Sequence, residues 1–328
     1  MPLSPLVRVA AILFGLLASA TTASSAEVMK LGHIMSPKHQ VQKAAQKFAD
    51  EVKARTNGQV EIRLFPSGQL GQEKEMFESM RLGSLELGFI AGNAIESFEP
   101  SEGIFSLPYA FVDYDHVYRV QDGPIGKEIA KRVVEKTGVR YLAYGNIGFR
   151  HTLITAKPVH TAADMAGLKI RVPPSPAFVN AFRLLGANPT PIPGGEMYTA
   201  LKTGVVDGVE GTPDILADFK MFEVAKNYSL TGHIYTDIPL VIADRIWKAM
   251  TPERQKAFTE AARAAELYQR DLIKQAEAEL LTSLQKDGVT LIKVDTAPMR
   301  AKMTPYYEDF AKRIGGSALI DQTIAAGK

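Results

Sequence analysis

Cysteine is absent from all 328 residues, so no disulfide braces this chain, and thiol catalysis and zinc–thiolate sites are excluded. An excess of one charge is missing too, since 38 lysines and arginines face 36 acids. A nucleic-acid groove needs a concentrated basic face, which this balance does not supply. The common catalytic signatures do not occur: there is no G-x-S-x-G elbow, G-x-G-x-x-G turn, Walker loop or H-E-x-x-H pair. Six histidines, His33, His39, His116, His151, His160 and His233, stand apart at spacings that hold no metal. Past the first 26 residues no apolar run reaches the roughly 20 residues that cross a bilayer.

What is present begins with the leader MPLSPLVRVAAILFGLLASATTASSA, where Arg8 precedes an apolar run and small residues follow. This is the pattern of a secretory signal peptide. It predicts export to the periplasm and removal of residues 1–26, with cleavage near Ala26 and Ala20 as the alternative. An exported chain without cysteine is held by its hydrophobic core alone, and the remaining length suffices for two medium domains.

Apolar periodicity then alternates between two periods. Residues 28–34 read as a buried strand, 39–56 as an amphipathic helix stopped at Asn57-Gly58, and QVEIRLFP as a second strand with Val60, Ile62 and Leu64 on one side. Strand, helix, strand at this spacing implies a parallel pair in an α/β sheet. The alternation continues with a helix at 73–82, a strand at 85–91, a helix near 126–136 and a strand at 140–144. MRLGSLELGF (80–89) and LKTGVVDGVE (201–210) share a helix-glycine-strand pattern with an acid three residues past the glycine, which suggests two similarly built lobes. From Thr251, the expected N-cap, through Pro252 and Glu253 to a stop at Gly288, one long helix is expected. At 1.5 Å per residue it would span on the order of 50 Å, enough to lie across both lobes. Residues after Ser317 show no clear periodicity and read as a loosely held tail.

One residue stands out for chemistry. In GLKIRVPPSP (167–176), Arg171 ends a short apolar strand, and Pro173, Pro174 and Pro176 stiffen the turn into a helix beginning near Ser175. Ligands in open α/β sheets collect at the carboxyl ends of strands. A guanidinium fork there matches a carboxylate in two parallel hydrogen bonds. Pairing with an internal acid is the competing role. Arg150, in GNIGFRHT, holds a comparable position, with an interlobe salt bridge as its alternative.

The run GFRHT…AADMAGLKIRVPPSPAFVNAFRLLGANPTPIPGGEMYTALKTGVVDGVE resembles the middle of the solute-binding proteins of tripartite ATP-independent periplasmic (TRAP) transporters, of the C4-dicarboxylate-binding type. GQVEIRLFPSGQLGQEKEM, FSLPYAF and the TGHIY-to-ADRIW stretch carry the same resemblance, which covers residues 27 to about 312. It implies an α/β, two-lobed periplasmic-binding-protein-like fold with hinge strands and a long helix spanning both lobes. It further implies that the protein is not an enzyme, needs no cofactor or metal, acts as a monomer, and hands a small carboxylate-bearing solute to the TRAP permease membrane subunits. The expected lobes are residues 27–148 plus about 237–276, and 149–236 plus about 277–312, leaving 313–328 as the tail. By the same resemblance Arg171 pairs with the ligand carboxylate and Arg150 assists. Glu73, His39 and Asn93 reach the ligand from the first lobe, and Tyr235 covers it from the hinge.

Two positions depart from the family pattern. Gly194 and Gly195 precede Glu196 where an aromatic residue is frequent, and Gly211 stands where an asparagine is usual. The expectation is a roomier or differently shaped pocket at Gly194 and Gly211, with Gly211 among the ligand-lining positions or Thr212 or Asp214 filling the gap, and a ligand bulkier than succinate. Sugar acids, C4-dicarboxylates and aromatic or branched hydroxy acids all carry the required carboxylate. Two other roles stand beside this one: a periplasmic sensor of the same fold, which the sequence does not separate from a transporter component, and, fitting less well, an exported enzyme acting on acidic sugars through Glu73 and Glu210.

Overall fold

The computed structural model describes residues 26–327, without the side chains of residues 274–276. Residues 1–25 of the expected leader lie outside the described residues. Two sheets organise the chain. The first contains β1 (Glu27–Gly32), β2 (Val60–Phe65), β3 (Leu87–Phe89), β4 (Val139–Ala143) and β10 (Leu240–Ala243) in the order β2-β1-β3-β10-β4. The second contains β5 (Asn146–Ile154), β6 (Lys169–Val172), β7 (Asn188–Pro191), β8 (Gly208–Gly211), β9 (Asn227–Asp237) and β11 (Thr290–Lys293) in the order β11-β9-β5-β8-β6-β7. The expected parallel pairing of β1 with β2 is present, and β3 joins parallel on the other side of β1. β10 enters antiparallel between β3 and β4, having returned from the second sheet.

The two sheets are joined by a crossed-over pair of strands. β4 leads through Tyr144 and Gly145 into β5, and β9 leads through Ile238 and Pro239 into β10. β5 and β9 pair antiparallel, with Phe149 opposite Tyr235 and Arg150 opposite Ile234. The register slips between Asn146 and Gly148. Gly148 is required at this kink, because its φ is 125° and a β-carbon would lie 2.6 Å from the Tyr114 hydroxyl.

The long helix runs unbroken from Pro252 to Lys286, with the Thr251 hydroxyl accepting from the Arg254 amide. Its first half packs on the Gln40–Arg55 helix of the first lobe, where Phe258 meets Phe48 edge-on at 5.8 Å. Farther along, Gln269 accepts from the Asn146 amide at 2.9 Å and Glu277 accepts from Tyr114 at 2.6 Å. The helix therefore braces the hinge as well as the lobe. No helix among the described residues is long and apolar enough to cross a membrane.

The C-terminal segment differs from its expectation. Residues Ala318–Ala325 form a helix that buries Ile320 and Thr323, and the Thr323 carbonyl meets the His116 ring at 2.7 Å. An eight-residue helix anchored by His116 and Arg119 from far along the chain leaves little periodic signal, so the sequence did not announce it.

Candidate functional site

Between the sheets lies a cavity of about 460 Å³. Arg171 reaches it from β6, whose neighbours β7 and β8 fix the strand on both sides. The Ser175 hydroxyl caps the next helix by accepting from the Ala177 amide, and Pro176 occupies its first position. Ser175 also donates to Glu96 of the other lobe at 2.7 Å. The turn after Arg171 is thus fixed from both sides of the cleft.

Arg171 is 4% exposed, yet no carboxylate pairs with it among the described residues. Its Nε donates to the Ile192 carbonyl at 2.8 Å, and one terminal nitrogen lies 3.3 Å from the Met197 sulfur. Burial pushes the guanidinium down to about 10, with Arg150 acting the same way and Glu210 and Glu73 opposing. A buried arginine with an unfilled fork is costly unless an anion completes it.

Arg150 is differently placed. Its Nε is 2.5 Å and a terminal nitrogen 2.7 Å from the two Glu210 oxygens, and the guanidinium stacks over Phe178. Its remaining nitrogen lies 3.5 Å from the Thr236 hydroxyl at the cavity wall. His233 adds a contact to Glu210 at 3.2 Å and is held in turn by Thr231 at 2.8 Å. Burial opposes ionisation of Glu210, but Arg150 and His233 hold it down at about 2. Burial pushes the His233 imidazole down, favouring its neutral form.

Glu73 and Asn93 complete the polar end of the cavity. Glu73 opens the Glu73–Leu82 helix and accepts from the Ala91 amide at 3.1 Å; burial pushes its carboxyl up despite that bond and the two arginines. Asn93 is 5% exposed and its amide makes no hydrogen bond among the described residues. The rest of the wall is mainly apolar, with Ile34, Met35, Ile147, Met197, Ile215 and Phe219 facing inward.

Three expected residues do not reach this cavity. His39 caps the Gln40–Arg55 helix, accepting from the Val41 amide at 3.2 Å, and its other nitrogen lies 3.2 Å from Asp214. That cap turns the ring toward a separate cavity of about 300 Å³, divided from the first by Ile147. Tyr235 points away because strand side chains alternate: it shares the Phe149 face of the β5–β9 pair, bonds Asn146 and packs on Phe111. Its neighbour Thr236 takes the cavity side. Gly211 is buried in β8, where a β-carbon would meet Leu216 at 2.8 Å.

The expected substitutes at Gly211 do not line the cavity either. Thr212 caps the helix Pro213–Asp218, and Asp214 accepts from Gln40 and lies 3.2 Å from the His39 ring nitrogen across the lobes. Ile215, one residue farther, supplies the wall instead. Glu73 and Glu210 also fail to form a catalytic pair, since Glu210 lies behind Arg150 and outside the cavity lining. Thr236, Met197 and the apolar wall escaped the sequence reading. Thr236 alone had a usable signal, the two-residue period that sets it opposite Tyr235.

The lobes touch around the cavity mouth. The Ser36 amide donates to Asp218 at 2.9 Å and its hydroxyl bonds the same carboxylate, while the Gly195 amide donates to Gln72 at 3.3 Å. This arrangement closes over a chamber whose wall is mainly apolar, with Gln72, Ser97, Glu75, Glu78, Glu196 and Lys74 also on its lining. Residues 31–313 match the family described as bacterial extracellular solute-binding protein, family 7. The 2,3-diketo-L-gulonate-binding periplasmic protein of Escherichia coli K12 is 33% identical over 286 residues, 87% of each chain. A TRAP periplasmic solute-binding protein of Roseobacter denitrificans, solved with β-D-glucuronate, is similar at a TM-score of 0.89 and 34% identity, covering 92% of this chain and all of that one (100%). Another from Polaromonas, bound to D-erythronate, gives 0.88 and 34% over 91% of this chain and 98% of its own.

Proposed function

Since the chain belongs to family 7 of the bacterial extracellular solute-binding proteins, we propose that it captures an organic acid anion in the periplasm and delivers it to a TRAP permease. The observation that carries this reading is the buried fork of Arg171, which faces an enclosed chamber without a carboxylate partner among the described residues. Its planar donors suit one carboxylate group. The relatives with sugar-acid ligands support the same choice of chemistry. The leader pattern of residues 1–26, with cleavage near Ala26, supports a periplasmic destination.

In this mechanism the solute carboxylate sits on Arg171, with the Arg150 nitrogen that faces Thr236 and the Thr236 hydroxyl beside it. Asn93 and Glu73 take hydroxyl groups of the solute from the opposite lobe. Each charge-assisted hydrogen bond contributes about 1.5–3 kcal/mol net, while micromolar binding needs about 8 kcal/mol. Burial of the remaining solute surface and the closing contacts supply the difference. A ligand that binds both lobes favours the closed form, and closure creates the surface a permease reads. Residues 27–148 plus about 237–276 form the first lobe, and 149–236 plus about 277–312 the second; the protein acts as a monomer.

The test is a thermal-shift titration of the purified protein and its Arg171→Ala variant against a panel of carboxylates. At about 1,000 times its dissociation constant a ligand adds roughly 4 kcal/mol of stability. Wild type should gain several degrees with at least one acid, and the variant should gain none while melting normally without ligand. An equal shift in both proteins would remove Arg171 from the site.

A further inference from the structure

Between the sheets, the turn that carries Asn93 and the turn that follows Arg171 are tied together by a side chain outside the chamber. We propose that Glu96 is a positioning residue for solute retention, holding these two cavity-lining turns closed through its bond to Ser175. The inference rests on the carboxylate-capture reading above and adds a residue to it.

Placement comes first. Glu96 ends the short helix Gly92–Ile95 that follows β3, and its neighbours Ala94 and Ser97 line the chamber while Glu96 is not part of the lining. Ser175 stands in the same relation to the other wall, next to Pro173 and Pro174 after Arg171. Its hydroxyl donates to one Glu96 oxygen at 2.7 Å, and both residues are only 2% exposed. The contacts at the mouth are more open to water, fully so between Gly195 and Gln72 and in part between Ser36 and Asp218. A shielded hydrogen bond to a carboxylate is the strongest of the three, and water regains that oxygen only when the turns part.

Both ends of the bond are held from behind. Arg313, in the helix Thr304–Ile314, donates to the other Glu96 oxygen at 3.3 Å, and its guanidinium lies 5.1 Å from the centre of the Phe310 ring. Gly103 leaves room for this group, since a β-carbon there would lie 3.0 Å from that oxygen and 2.7 Å from the Phe310 ring. Burial pushes the Glu96 carboxyl up, with Ser175 and Arg313 opposing. On the other side the Ser175 oxygen accepts from the Ala177 amide as a helix cap. The cap uses a lone pair and the bond to Glu96 uses the hydroxyl proton, so the two roles do not compete. A solute leaves the enclosed chamber when the turns part, and parting breaks this bond. Glu96 therefore acts on departure rather than on entry.

The test is stopped-flow kinetics on the purified protein with whichever of D-glucuronate, D-erythronate and 2,3-diketo-L-gulonate binds it tightest. Glu96→Ala should raise the dissociation rate about ten-fold, the loss of one hydrogen bond to a buried carboxylate. Its association rate should stay within about two-fold of wild type, because the bond forms after the solute has entered. Glu96→Gln should restore most of the retention, since its carbonyl still accepts from Ser175. Ser175→Ala should speed dissociation several-fold, and the double variant Glu96→Ala with Ser175→Ala should dissociate no faster than the faster single one. Should Glu96→Ala not fold, Ser175→Ala carries the same split between the two rates. An unchanged dissociation rate, effects that multiply in the double variant, or an equal loss in association rate would overturn the inference and leave carboxylate capture standing. Failure of all three acids to bind the folded wild type would overturn the function proposed above, and this inference with it.

Discussion

Arg171 and Arg150 look alike in sequence and differ in electrostatic state. Arg150 is satisfied inside the protein by Glu210, while among the described residues Arg171 carries a buried charge with backbone and sulfur contacts only. Arg171→Lys should lower carboxylate affinity at least ten-fold, because a point charge replaces a two-pronged fork; equal affinity in a calorimetric titration would argue against bidentate contact. Glu210→Gln should act on stability instead. It leaves the Arg150 charge uncompensated in a site where Glu210 is 0% exposed, a loss of about 3–5 kcal/mol. Chemical denaturation measures this, and a midpoint unchanged from wild type would show that Thr236 and Phe178 suffice to hold Arg150.

Elements decide which side chains arrive. β9 carries Tyr235 into the core and Thr236 to the cavity, and the helix cap at His39 aims its ring at Asp214. Capping and strand alternation are local rules, so both placements were in principle readable. The pairing of Arg150 with Glu210 was not readable, because the two lie 60 positions apart and meet only through the β5–β8 register. At this scale the mouth contact between Ser36 and Asp218 belongs to closure rather than to binding chemistry. Asp218→Ala should raise the solute dissociation rate a few-fold to ten-fold, the loss of about 1 kcal/mol from the closed form. Stopped-flow displacement reads this directly; an unchanged rate would mean that other contacts hold the lobes together.

The whole molecule hinges where β9 turns into β10, and there Asp237 and Glu102 face each other without a basic partner among the described residues. Both are at most 1% exposed, and a β-carbon on Gly92 would lie within 2.6 Å of an oxygen of each. Burial pushes Asp237 up to about 7 and raises Glu102 well above the carboxylate range, with Tyr141 and Glu96 also nearby. In the unfolded chain both titrate near about 4. For Asp237 the folded state thus holds an extra proton between about 4 and 7; this contribution is full below about 4 and is lost as pH rises through about 7, and Glu102 acts in the same direction. Asp237→Asn should flatten that decline when denaturation midpoints are compared across pH 4–8, and a slope identical to wild type would exclude the pair as its source.

The sequence by itself determined the alternation of strands and helices, the long capped helix, the signature arginine and the family. These follow from local periods, caps and short motifs, which act over a few residues and leave their mark in the order of residue types. Only the tertiary structure decided that Arg171 has no carboxylate partner among the described residues while Arg150 is matched, that Gly211 faces Leu216, and that Ile215 and Phe219 close the chamber. Periodicity tells which face of an element is apolar; it does not tell which other face it meets. That choice is made by the packing of segments far apart in the chain, where burial and charge pairing are settled together.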